Sequence, residues 1–113
     1  MPAELQVGDS VVVKTGKMDP DMGFDIGGWQ GRIEDVYGDD KNILIQWDSI
    51  TLQSMNYDMV CQCEIEGLDW ERTVLGISET HKTAPRDTKS DTQKDVRILQ
   101  AKLTDDPRLD GDE

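Results

Sequence analysis

Apolar and polar residues alternate along "NILIQWD", Asn42–Asp48: Ile43, Ile45 and Trp47 share one face, and Leu44, Gln46 and Asp48 share the other. A period of two is that of a half-buried strand. Val11, Val12 and Val13 are β-branched and follow a Gly8-Asp9 turn, so they predict an earlier strand with Val11 and Val13 on one side. "WQGRIEDVY", Trp29–Tyr37, predicts another, although Ile33 and Val36 are three apart and break strict alternation. A bulge between them returns both to the core. "GDDKN" then makes a tight hairpin connection. The segment 15–28 carries Pro20, Gly16, Gly23, Gly27, Gly28 and three aspartates, the composition of a long ordered loop. Loops of that length in a small domain shape the fold or serve a function.

After Trp47 the period lengthens. Leu52, Met55, Met59 and Cys63 recur at spacings of three and four, one face of a helix, with Ser49 or Thr51 as its cap. Asn56-Tyr57-Asp58 breaks this run into two short helices, and Gly67 supplies the left-handed residue that ends it. "LDWERTVLG" returns to extended structure with Leu68, Trp70 and Val74 or Leu75 inward. Residues 78–90 are polar, contain Pro85 and read as a linker. Ser90-x-x-Gln93 is a capping-box pattern ahead of a helix through "KDVRILQAKL", in which Val96, Leu99 and Leu103 form a stripe and Ile98 points away. The expected organisation is a domain at 1–77 with a helical insert at 50–67, a linker at 78–90, and a C-terminal helix and polar tail at 91–113.

A lone helix of this length is marginal in water, so it must dock on its own domain or on a second copy. A homodimer is the commonest symmetric assembly. Its expected interface is Val96, Ile98, Leu99 and Leu103.

Charge narrows the partners. Of the net −12, residues 1–78 hold 15 acidic and 5 basic residues, a balance of −10. Phosphate backbones are bound by clustered Lys and Arg that release counterions, so nucleic acid is not an expected partner. No apolar run approaches the ~18 residues of a membrane span, and the start lacks the basic and apolar regions of a secretory leader. Cys61 and Cys63 are too close for an ordinary staple and read as reduced thiols, which places the chain in the cytoplasm. Cys63 is expected in the core, and Cys61 exposed or at an interface.

The stretches "VGDSVVV", "GGWQGRI" and "ILIQWD" resemble, over residues 5–48, the KOW/Tudor-like and mind-bomb-type SH3-like repeats. Gly8-Asp9, Gly31-Arg32-Ile33 and Trp47-Asp48 carry the likeness. It implies an SH3-like five-stranded barrel; with the helices read from periodicity, the expected fold is mainly β, an SH3-like five-stranded barrel with a short helical insert and a C-terminal helix. Members of those families bind peptides, methylated lysines or nucleic acid. The chain departs from them in its insert and its acidity. The longer string that runs on through "CEIEGLDW" is also similar to small bacterial proteins without an assigned activity.

Asp19, Asp21 and Asp25 raise calcium as an alternative, since hard cations take several oxygens from loops. The EF-hand pattern is not met: Gly23 stands at the third ligand position, Phe24 at the required glycine and Gln30 at the closing glutamate. The favoured reading is an acidic loop whose aspartates cap turns. Trp29 and Tyr37 beside Asp19, Asp21 and Asp25 would suit a basic or proline-containing peptide through stacking and charge. No nucleophile or phosphate-loop motif appears, and His81 is the only histidine. The expected function is a non-enzymatic, homo-oligomeric protein-interaction module without cofactor. The alternatives are a cation-binding protein using the aspartate loop, or a small enzyme with its site between protomers.

Overall fold

Trp47, Ile45 and Ile43 lie on the buried side of a strand and anchor a five-stranded antiparallel sheet. The computed structural model describes residues 5–19, 23–38 and 41–109. The strands are β1 (Ser10–Val13), β2 (Gln30–Tyr37), β3 (Asn42–Trp47), β4 (Arg72–Gly76) and β5 (Thr80–Thr83), in the order β4-β3-β2-β1-β5. Two short helices, α1 (Ser49–Ser54) and α2 (Tyr57–Ile65), lie between β3 and β4, and α3 (Lys89–Thr104) follows β5. Short 3₁₀ turns occupy Ile77–Glu79 and Pro107–Leu109.

The sheet is not closed into a barrel. Each of β4 and β5 pairs on one side only, with β3 and β1 respectively, so both remain edges. The three α-helices hold slightly more residues than the five strands, so "mainly β" fits only in part. A pairing between β4 and β5 is what closure would need, and the two are joined through a 3₁₀ turn that sends β5 to the opposite end of the sheet.

The bulge expected in β2 is present. Ile33 pairs with Ile45, but Asp35 pairs with Leu44, and the extra residue between them brings Val36 onto the core beside Ile43. Val11, Val13, Ile33, Ile43 and Ile45 are all at most 2% exposed. Each such side chain contributes roughly 1.5–3 kcal/mol by leaving water. Gly31 faces β3 so closely that a Cβ there would lie 2.3 Å from the Gln46 carbonyl oxygen, which explains glycine at this strand position.

The helical insert follows its expected break. Asp48, rather than Ser49 or Thr51, caps α1 by accepting from the Thr51 N–H at 2.8 Å. Asn56 caps α2 through the Asp58 N–H. Gly67, at φ 74°, ends α2 in a Schellman arrangement: the Gly67 and Leu68 N–H groups reach the Glu64 and Cys63 carbonyls.

Residues 78–90 are not a linker. Thr80–Thr83 form β5 and pair in register with Val13–Ser10. Sequence composition hid this strand because its stability comes from main-chain pairing with β1, not from apolar alternation. Arg86 and Asp87 then bind back into the domain. Arg86 grips the buried Asp48 carboxylate with two nitrogens at 3.0 and 2.9 Å and reaches Thr51 Oγ1 at 3.1 Å. Asp87, with its side chain 4% exposed, pairs with Arg32 and accepts from the Ser49 N–H at 2.7 Å and from Thr92 Oγ1 at 2.9 Å. α3 starts one turn from this junction. Its cap is Thr88 and its capping box is closed by Asp91, in place of Ser90 and Gln93. Leu103 is buried, and Val96 and Leu99 pack on the same core.

Burial pushes Asp87 toward its neutral form, but the hydrogen bonds from Ser49, Arg32 and Thr92 outweigh that and hold its pKa below the ordinary carboxylate value. A depressed acid stabilises the fold above its unfolded pKa and loses that contribution as pH falls through the folded value. Asp87→Asn is therefore expected to cost about 3 kcal/mol at pH 7. The gap to the parent should narrow below pH ~4 in urea titrations. A constant gap from pH 7 to pH 2 would contradict this account of Asp87.

Candidate functional site

The segment between β1 and β2 doubles back on itself. Met18 bridges Asp25, the Asp19 N–H donates to the Phe24 carbonyl at 2.7 Å, and the Ile26 N–H to the Lys17 carbonyl at 2.9 Å. Ile26 is 0% exposed and plugs the base of this finger into the core. The sequence signal for it was a single β-branched residue inside a polar, glycine-rich stretch, too little to separate it from loop. Lys17 also forms an ion pair with Glu79, which ties the finger to the turn before β5.

The three aspartates part ways. Asp25 is exposed, and its Oδ1 accepts from the Gly27 N–H at 2.8 Å, the turn-capping role. Asp19 borders a groove described below. Asp21 lies outside the described residues. Among the described residues no group of three or more His, Cys, Asp or Glu is placed to hold a metal ion.

The groove has a volume of about 380 Å³ and runs from Asp19 and Phe24 across Trp29 and Trp47 to the edge strand β4. Three devices build it. The finger presents Phe24, whose ring centroid is 5.7 Å from that of Trp29. Trp29, half-buried, meets Trp47 edge to face at 5.1 Å, a favoured aromatic geometry. α1 and α2 supply the opposite wall through Met55 and Met59, flexible side chains that adapt to an irregular partner. Trp70 closes the far end, its Nε1 donating to Glu64 Oε1 at 3.0 Å.

Charge is uneven around this floor. Asp19 and Asp69 stand on the lining, and Arg72 is the cation among its residues. Arg72 is engaged by Glu34 at 2.6 Å and Glu71 at 3.3 Å, and its hydrogen bond to Glu34 raises its pKa. Asp69 accepts from the Glu71 and Arg72 N–H groups at 2.8 and 3.2 Å. What remains is an aromatic and thioether floor with a carboxylate-bearing rim, suited to stacking or apolar contact with a cationic segment.

Of the residues singled out in sequence, Asp19 and Trp29 meet in this groove. Tyr37 does not: it ends β2 while Trp29 precedes it, so an eight-residue strand separates them. Tyr37 is exposed beside the hairpin instead. The stripe Val96, Leu99 and Leu103 is used within the chain, and Ile98 stays 49% exposed. Cys61 is buried, contrary to expectation, because the C-terminal 3₁₀ turn covers it. Arg108 Nη2 lies 3.3 Å from its sulfur, and Asp106 Oδ2 lies 3.5 Å from it and accepts from the Tyr57 hydroxyl at 3.0 Å. The Arg108 guanidinium holds the Asp106 carboxyl well below the usual carboxylate range. Neither Cys61 nor Cys63 is in a disulfide. His81 sits exposed on β5. Residues that sequence reasoning missed at the groove are Phe24, Asp69 and Val74. Phe24 read as loop, Asp69 as a solvated charge beside a helix end, and Val74 as a core candidate.

No family model, curated protein or solved structure matches the chain. Among the described residues no helix is long and apolar enough to cross a membrane.

The finger's dependence on Asp25 as a turn cap is measurable. Asp25→Ala should lower stability by about 1 kcal/mol, whereas Asp25→Asn, whose amide oxygen still accepts from Gly27, should stay within a few tenths. Thermal melts of the two variants decide it. An Asn variant as damaged as the Ala variant would show that the carboxylate charge, not the hydrogen bond, matters there.

Proposed function

We propose that this chain is a non-enzymatic interaction module that holds a basic or proline-containing peptide in the groove between the finger and β4. The observation that carries this reading is the meeting of the half-buried Phe24 and Trp29, backed by the buried Trp47, in one groove rimmed by Asp19 and Asp69. Aromatic grooves with a few placed charges recognise extended or polyproline segments. The acidic surface, at net −12, steers cationic partners toward it and disfavours phosphate backbones.

The strand order and the long β1–β2 finger support an SH3-like roll, opened between β4 and β5, as the ancestry of the sheet. Two cysteines outside any disulfide fit a reducing, cytoplasmic setting. Self-association through α3 has less apolar surface than its sequence promised, since only Ile98 of the four expected residues is left well exposed.

Trp29, Trp47 and Trp70 all line the groove, so intrinsic emission reports its occupancy. Ten-residue peptides rich in Lys, Arg and Pro, selected on an array, should shift that emission on titration. Binding should weaken as salt rises, and the double variant Asp19→Asn, Asp69→Asn should lose about fivefold in affinity. Equal binding of acidic peptides, or no array peptide bound, would overturn the reading.

A further inference from the structure

The ladder between β3 and β4 fixes which main-chain groups of β4 face outward. The Trp47 N–H donates to the Glu71 carbonyl, and the Ile77 N–H to the Lys41 carbonyl. With Ile45 opposite Thr73 and Ile43 opposite Leu75, the odd-numbered residues of this strand turn their backbone toward β3. Arg72, Val74 and Gly76 therefore turn theirs to the open edge. Two of these three donors are already taken by side chains: the Arg72 N–H by Asp69 Oδ1 at 3.2 Å, and the Gly76 N–H by Glu79 Oε1 at 2.7 Å. Val74 lies between them with its side chain 46% exposed, and among the described residues nothing bonds its N–H. Edge strands are commonly blunted against unwanted pairing. Here the blunting stops at the residue that also borders the aromatic groove.

The opposite edge is different. β5 is four residues long, polar throughout, and its outward Lys82 carries an ion pair to Asp9 at 3.6 Å. The Thr80 N–H is spent on the Ile77 carbonyl.

We infer that an extended segment bearing Lys or Arg docks along β4 as a partial added strand, pairing with the main chain of Val74 alone while its side chains enter the groove. This rests on the groove being the binding site and adds how the ligand backbone is held. Extended geometry follows from the pairing: a donor and an acceptor on one pleated edge residue meet their complements on another strand-like chain. Cationic character follows from the carboxylates of Asp19 and Asp69 and the net −12. A second copy of this chain is disfavoured as occupant, since it brings the same negative charge to the contact. The two side-chain caps limit register, because a ligand shifted by two residues would face donors already occupied.

The test is amide hydrogen exchange on the full-length ¹⁵N-labelled chain, free and saturated with the tightest Lys/Arg-containing array peptide. The Val74 amide should exchange fast in the free chain and slow by at least about tenfold in the complex. Val74→Pro removes the outward N–H without removing a bond to β3, and should weaken the peptide by about tenfold, while Val74→Thr stays within about twofold. A Val74 amide as fast in the saturated complex as in the free chain would overturn the inference. If emission responds and Val74 does not, the added strand fails and the groove stands. If neither responds, both fail. Concentration-dependent protection of Val74 without peptide would make a second copy the occupant and overturn it equally.

Discussion

The fold depends on one polar junction. Asp48 ends β3, caps α1 and receives the two-nitrogen grip of Arg86. The next residue, Asp87, receives Arg32 from β2 and Thr92 from α3, along with the Ser49 N–H. Two adjacent residues thus bind a strand end, a helix start, the neighbouring strand and the last helix. Thr51 completes the set by exchanging hydrogen bonds with the Gln30 main chain, both at 3.0 Å. Buried ion pairs are not in themselves a large source of stability, because desolvation offsets attraction. Their effect here is geometric. Each of these groups has satisfied partners only in this arrangement of β2, α1 and α3.

That constraint places the groove. α1 starts at Asp48, so the direction of the helical insert over Trp47 is set where Arg86 holds that carboxylate. α2 then carries Met59 toward Trp29 and the finger, and the Schellman turn at Gly67 returns the chain to Trp70 and β4. On the other side, Ile26 and the Lys17–Glu79 pair fix the finger against the core and the turn before β5. The aromatic floor is rigid where Trp47 is buried and adaptable where Met55 and Met59 line it, a combination suited to recognising a segment by shape and charge.

Much of this was legible in the sequence, and the exceptions share a cause. Alternation in Ile43, Ile45 and Trp47 exposed β3, the three-residue offset of Ile33 and Val36 exposed the bulge, and Asn56 and Gly67 marked the helix ends. β5 escaped notice because "THKT" has no apolar face, and its strand identity comes wholly from the edge that β1 offers. Arg86 and Asp87 read as linker because, Thr92 apart, their partners in β2 and around the start of α1 lie 35 or more residues away. Barrel closure was inferred from strand count and resemblance, whereas closure depends on β4 meeting β5, a long-range pairing that no local pattern encodes. The site was partly visible. Trp29 and Asp19 could be named from composition and spacing, but Tyr37 seemed to join them only because the seven residues between Trp29 and Tyr37 were not yet a straight separation along a strand.

The most direct measurement of the central claim is a double-mutant cycle on Asp48→Asn and Arg86→Gln, read by urea unfolding at pH 7. Asn at 48 keeps the helix cap, so the cycle isolates the contact with Arg86. A coupling energy of about 1–2 kcal/mol is predicted, as for groups in one hydrogen-bonded network. Additive losses, with coupling near zero, would contradict the account, since Asp48 and Arg86 would then not act as one junction.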